Sequence, residues 1–111
     1  MIEKVILDHL NGQLVAPVYM EKPDPAPGEY VLLEKTGSGK TNKLPSSTFV
    51  FQSYSASLYG AAVLNDLVKA AVESLDTLAE IGRVRLNSDY NFTDTATKNY
   101  RYQAVYDISH Y

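Results

Sequence analysis

Cysteine is absent from this chain of 111 residues, so disulfides, zinc–thiolate sites and thiol catalysis are excluded. Tryptophan is absent too. Histidine is scarce: His9 and His110 stand at opposite ends of the chain, which argues against a His-rich metal site unless folding joins them. No stretch approaches the ~18 consecutive apolar residues of a membrane span. A basic excess is also missing. Thirteen acidic residues against 10 basic give a net charge of −3, which speaks against a sequence-specific nucleic-acid binder. The segment Met1–His9 is amphipathic and lacks the pattern of a signal peptide, so the expected place of action is the cytoplasm of the producing cell. Asn91-Phe92-Thr93 matches a glycosylation pattern, but no export signal gives it meaning.

What is present is a domain-sized chain that is 45% apolar, enough for one hydrophobic core. It carries nine tyrosines. Tyrosine suits strands and also interfaces, where an apolar body and a polar tip are both used.

The stretch Thr36-Gly37-Ser38-Gly39-Lys40-Thr41 resembles half of a phosphate-binding loop. The full pattern needs a glycine five residues before Gly39, and that position is Glu34. It also needs a helix opening at the lysine, and Pro45 would fall inside the second turn of that helix. Nucleotide binding is therefore not expected. The better reading is a connection between two strand-like runs, Glu29–Leu33 and Thr48–Gln52. Residues 36–47 are rich in loop formers, carry Lys40 and Lys43 without an acid, and are long for a hairpin turn. A mobile loop is expected there.

Ile2, Val5, Ile6 and Leu10 recur at helical spacing, with Asn11-Gly12 as the expected stop and His9 on the solvated side. Val15–Met20 reads as a first strand, placed at a sheet edge by Pro17, and a proline-rich connection follows. The plainest element is a long helix with Leu64, Leu67, Val68, Ala71, Leu75 and Leu78 on one face. Ser57 is its expected N-cap and Gly82 its expected stop. Asn65, Asp66, Lys69, Glu73, Asp76, Thr77 and Glu80 fall on the other side, where Glu73 is expected to be dispensable and Asp76 and Glu80 read as solvated acids rather than a catalytic pair. Two alternating strands close the chain. Val84, Leu86, Tyr90 and Phe92 point one way, with Arg83, Arg85, Asn87, Asp89 and Asn91 opposite. Tyr100, Tyr102, Ala104, Tyr106 and Ile108 then oppose Arg101, Gln103 and Asp107. The expected order is α-β-β-β-α-β-β, an α+β fold with two helices packed on one face of a mainly antiparallel sheet.

This order, carried by VLLEKTGSGKTNKLPSSTFVFQ, VLNDLVKAAVESLDTLAEIG and YRYQAVYDISHY, resembles the small tail terminator (tail-completion) and head–tail joining proteins of long-tailed bacteriophages. The resemblance spans nearly the whole chain as element order and rests on no short motif. It implies a single domain over residues 1–111 that forms a ring, typically a hexamer, at the head-proximal end of the tail. Its partners would be the tail tube protein and a head-completion protein, in the host cytoplasm during assembly and then in the virion. It implies neither catalytic residues nor a cofactor, and no membrane partner. The segment Thr36, Gly37, Ser38, Gly39, Lys40, Thr41, Asn42 and Lys43 would be the interaction loop that orders on assembly. Ring contacts between unlike patches would pair Arg83, Arg85 and Arg101 of the closing hairpin with Asp66, Glu73, Asp76 and Glu80 of the long helix. The competing reading is a small cytoplasmic α+β module that binds a ligand or another protein.

Overall fold

The structure, a computed structural model, describes residues 1–41 and 44–111. Its elements run α1 (Ile2–Gln13), β1 (Val18–Tyr19), β2 (Tyr30–Thr41), β3 (Leu44–Tyr54), α2 (Leu58–Glu73), a 3-10 turn (Ser74–Thr77), β4 (Ile81–Asn91) and β5 (Arg101–His110). This is the α+β class and the element order read from the sequence. The five strands lie in the order β1-β2-β3-β5-β4. Only β1 and β2 run parallel; the other neighbours are antiparallel.

Both helices cover one face of the sheet. Strand alternation sends Val31, Leu33, Phe49, Phe51, Ala104, Tyr106 and Ile108 to that face, where they pack with Ile6 and Leu10 of α1 and with Leu64, Val68, Ala71, Val72 and Leu75. Ser57 caps α2 as expected, its side chain accepting from the Gly60 amide at 3.0 Å. The other end differs. α2 gives way to the 3-10 turn after Glu73, and Gly82 lies within β4.

The first helix passes through Asn11-Gly12, and Gly12 does not take a positive φ. Asn11 is occupied otherwise. Its side chain accepts from the Val18 amide at 3.0 Å and donates to the Val18 carbonyl at 3.2 Å, which pins β1 to the helix. The expected strand over Val15–Met20 shrinks to Val18–Tyr19. His9 is part-buried, with Nε2 2.8 Å from the Ser74 hydroxyl, so it ties α1 to the end of α2 rather than facing open water.

β4 departs most from simple alternation. Its register slips between Leu86 and Ser88, leaving Asn87 as an extra residue. Val84 and Leu86 lie opposite Ile108 and Tyr106 on the covered face, whereas Tyr90 lies opposite Gln103 on the bare face. The slip also turns Asp89 toward α2, where it accepts from Lys69 at 3.2 Å.

Two further placements correct the helical stripe. Leu67 is 55% exposed, while Asn65 is buried. Glu73, expected to be dispensable, accepts a hydrogen bond from the buried Tyr106 hydroxyl at 2.7 Å. Removing it strands that donor and costs about 1 kcal/mol or more.

Leu75→Asp should therefore unfold the domain, because Leu75 is fully buried and a carboxylate has no partner there. Leu67→Asp should change stability by about 1 kcal/mol or less. Urea unfolding of both variants checks this, and equal losses would refute the helix orientation. A second expectation concerns alkaline pH. Burial, and then the hydrogen bond to Glu73, raise the Tyr106 pKa above its ordinary 10.0. Above about pH 10 the unfolded chain releases a proton that the folded hydroxyl keeps, so stability is full below that pH and falls above it, by about 1.4 kcal/mol per pH unit for one group. Tyr106→Phe should flatten the alkaline limb of a stability–pH curve; an unchanged slope would contradict this reading.

Candidate functional site

The segment expected as a loop is strand. Gly37, Ser38, Gly39, Lys40 and Thr41 pair with Thr48, Ser47, Ser46, Pro45 and Leu44 in turn, and Thr36 is the extra residue of a bulge between Lys35 and Gly37. Asn42 and Lys43 lie outside the described residues. The reason is the partner strand. Ser46 to Tyr54 is held by β5 along its other side, and that template recruits even glycine-rich chain into the ladder. β1 covers only Val31 and Leu32, so among the described residues no strand pairs with the outer edge of β2 beyond them. The fold also disposes of the phosphate-loop resemblance: Gly39 and Lys40 are followed by strand β3, not by the helix whose amides would hold phosphates.

The bare face holds four of the nine tyrosines, Tyr19, Tyr30, Tyr54 and Tyr90. From the β4 edge to the β1 edge, aromatic rings and one guanidinium form an unbroken row. Tyr90 and Phe92 meet edge-to-face at 5.8 Å. The Arg101 guanidinium sits over Phe92 at 4.4 Å and over Tyr54 at 5.7 Å. Tyr54 stacks on Tyr30 at 4.6 Å with an interplanar angle of 4°, and Tyr30 meets Tyr19 at 6.4 Å. All five strands contribute. Cross-strand register creates the row, since Tyr30 is directly opposite Tyr54 and Tyr54 directly opposite Arg101. Hydrogen bonds lace it: Arg101 donates to the Tyr54 hydroxyl at 2.9 Å, Tyr54 donates to Gln52, Gln52 to Gln103, and Gln103 to the Tyr90 hydroxyl. Burial, then the neighbouring Tyr54, raise the Tyr30 pKa, with Arg101 opposing.

Arg101 is thus locked into the row, its Nε donating to the Phe92 carbonyl at 2.8 Å, rather than free for a partner as the sequence suggests. Arg83 and Arg85 are free of such ties. They share the bare face near the other end of β4, form no ion pair among the described residues, and with Ser46, Asp107 and Ser109 line a hollow of about 260 Å³. The Asp107 carboxylate accepts from Thr48 at 2.8 Å and from Asn87 at 3.2 Å.

The expected acidic surface is divided. Asp66 is exposed and pairs with Lys69 at 3.5 Å, while Glu73 is engaged by Tyr106. Asp76 and Glu80 are exposed. Lys69 also bonds Asp89, and that hydrogen bond is the main cause of its raised pKa.

On the covered side, an apolar groove of about 520 Å³ opens between the end of α1 and α2, lined by Leu14, Val15, Ala16, Leu64, Leu67 and Ala70 among others. The sequence pattern gave no sign of it, because Leu67 sits on the same helical stripe as the core residues. Among the described residues no group of three or more His, Cys, Asp or Glu could hold a metal ion, and no helix is long and apolar enough to cross a membrane. No family model matches the sequence, and neither does any curated protein.

Arg101→Ala should cost about 1–2 kcal/mol through lost stacking and hydrogen bonds. Arg101→Lys should recover little of it, since an ammonium neither stacks nor forks between Tyr54 and Phe92. Full recovery with lysine, measured by urea unfolding, would mean that charge alone matters there.

Proposed function

We propose that this chain is a structural assembly protein of a long-tailed bacteriophage, a ring at the head-proximal end of the tail that terminates the tail tube and joins it to the head. The observation that carries the reading is the long β2–β3 hairpin, Tyr30–Tyr54, on a sheet covered by helices on one face only. That is the element order through which the sequence resembles tail terminators. The face without helices supports it at its β4 end: Tyr90 and Phe92 are exposed there beside Arg101, residue types enriched at protein interfaces, while Tyr30 and Tyr54 of the same row are buried. Unlike patches on one small chain suit head-to-tail contacts, which close into rings. The hexameric state, the tail tube and head partners, and the host cytoplasm followed by the virion belong to this proposal. No step of it needs catalysis or a cofactor.

A second reading, a small α+β binding module, is favoured by the apolar groove beside α2.

Disrupting the gene in its phage should give overlong tails and unjoined heads in electron micrographs, with the intact gene restoring particles. Tails of normal length joined to heads would overturn the proposal. The hairpin end gives a finer expectation. Replacing Lys40–Pro45 by Asn-Gly leaves Gly39 opposite Ser46 across a two-residue turn. The thermal midpoint should stay within a few degrees, because a change of about 1 kcal/mol moves a domain of this size by roughly 4–8 °C. Particle titre should collapse. Normal titre from the shortened hairpin would remove the hairpin end from the assembly role.

A further inference from the structure

We propose that copies of this chain meet head to tail, with the aromatic edge of β4 on one copy seated in the apolar groove beside α2 on the next; as a ring contact this rests on the assembly reading above. The groove is unfinished as it stands in one chain. Val15 is fully exposed at its rim, and Leu67 is 55% exposed. Val63 and Tyr59 continue from Leu67 at four-residue steps along α2, 42% and 80% exposed. α2 therefore carries two apolar arcs. One is buried in the core through Leu64, Val68, Ala71 and Val72; the other, Tyr59, Val63, Leu67 and Ala70, faces outward. Such an outward arc marks an interaction surface.

The complementary patch is on the same chain. Tyr90 and Phe92 are 41% and 42% exposed and stand at the free β4 edge, held rigidly against each other and against Arg101. Rigid aromatic side chains lose little entropy on docking, which makes them suitable anchors for an apolar groove. Charge agrees with this pairing. Glu29 lines the groove and Asp66 flanks Leu67, whereas Arg83 and Arg85 lie on the same face of β4 as Tyr90 and make no ion pair among the described residues. The acidic rim of the groove thus meets Arg101 beside the aromatic pair, with Arg83 and Arg85 farther along the same face of β4.

Position fixes the mode. The groove belongs to the helix-covered side, beside the segments that lead into β1 and β2, while the aromatic pair belongs to the bare side at the β4 edge. These are opposite faces and opposite edges of one sheet, so a chain cannot satisfy its own groove. The patches are unlike, so the contact repeats from copy to copy and closes as a ring where the rotation allows.

The absence of cysteine provides a clean test. Leu67→Cys and Phe92→Cys are made separately, purified, mixed and oxidised. The 67–92 heterodimer should form about tenfold faster than either homodimer, and the preference should shrink as salt screens the rims. A chain carrying both substitutions should give a ladder that stops at the ring size. Homodimers forming as readily as the heterodimer, or cross-linking no faster than in urea, would overturn the proposal. A groove that serves a small apolar ligand gives that second result. The assembly reading fails separately: a 67–92 cross-link with normal tails made in the gene's absence leaves the contact standing without the phage role, and defective tails with no such cross-link leave the role without this contact.

Discussion

The fold depends on where β5 inserts. The strand comes last in sequence order yet lies between β3 and β4, and its register with both is fixed along nearly its whole length. Without it β4 has no neighbour, and the β2–β3 hairpin loses the template that keeps Ser46 to Tyr54 extended. Ala104, Tyr106 and Ile108 supply the centre of the core from β5, and Arg101 and Gln103 supply the centre of the bare face from the same strand. One strand therefore couples the two surfaces of the sheet. Pairings so distant in sequence are costly to close, so the domain is expected to fold as one cooperative unit rather than in halves.

The sequence was legible where one physical requirement dominated. Ser57 begins α2 because a side-chain oxygen is needed to accept from a free amide, and alternation in β5 sends Ala104, Tyr106 and Ile108 to the core and Arg101, Gln103 and Asp107 to the other face. It was not legible where a residue answers two requirements. Asn87 looks like one more polar position in a strand, but as an inserted residue it reverses the faces of everything after it, taking Tyr90 and Phe92 away from Leu86. Asn11-Gly12 looks like a helix end, but the Asn11 side chain is engaged in holding Val18. Glu73 looks solvated because its helical position is outward, although its side chain reaches a buried hydroxyl across from β5. Residues 36–47 have loop composition, and only the tertiary neighbour of β3 makes them strand.

The candidate surfaces were half legible. Arg83 and Arg85 are where alternation puts them, free and on the bare face, whereas Arg101 is absorbed into the aromatic row. The excess of tyrosine was visible, but not the order in which Tyr19, Tyr30, Tyr54 and Tyr90 would align, because that order is set by strand sequence in the sheet rather than in the chain.

The bulges have a further consequence. The extra residues Thr36, Gly82 and Asn87 fall on β4, an edge strand, and on β2 beyond its short pairing with β1. A flat outer strand is a template for indiscriminate strand addition, and a local kink with increased twist spoils that template. An exposed strand edge carries a standing risk of fibre formation. Here the backbone geometry itself discourages strand-to-strand stacking, which leaves recognition at the sheet's edges to side chains.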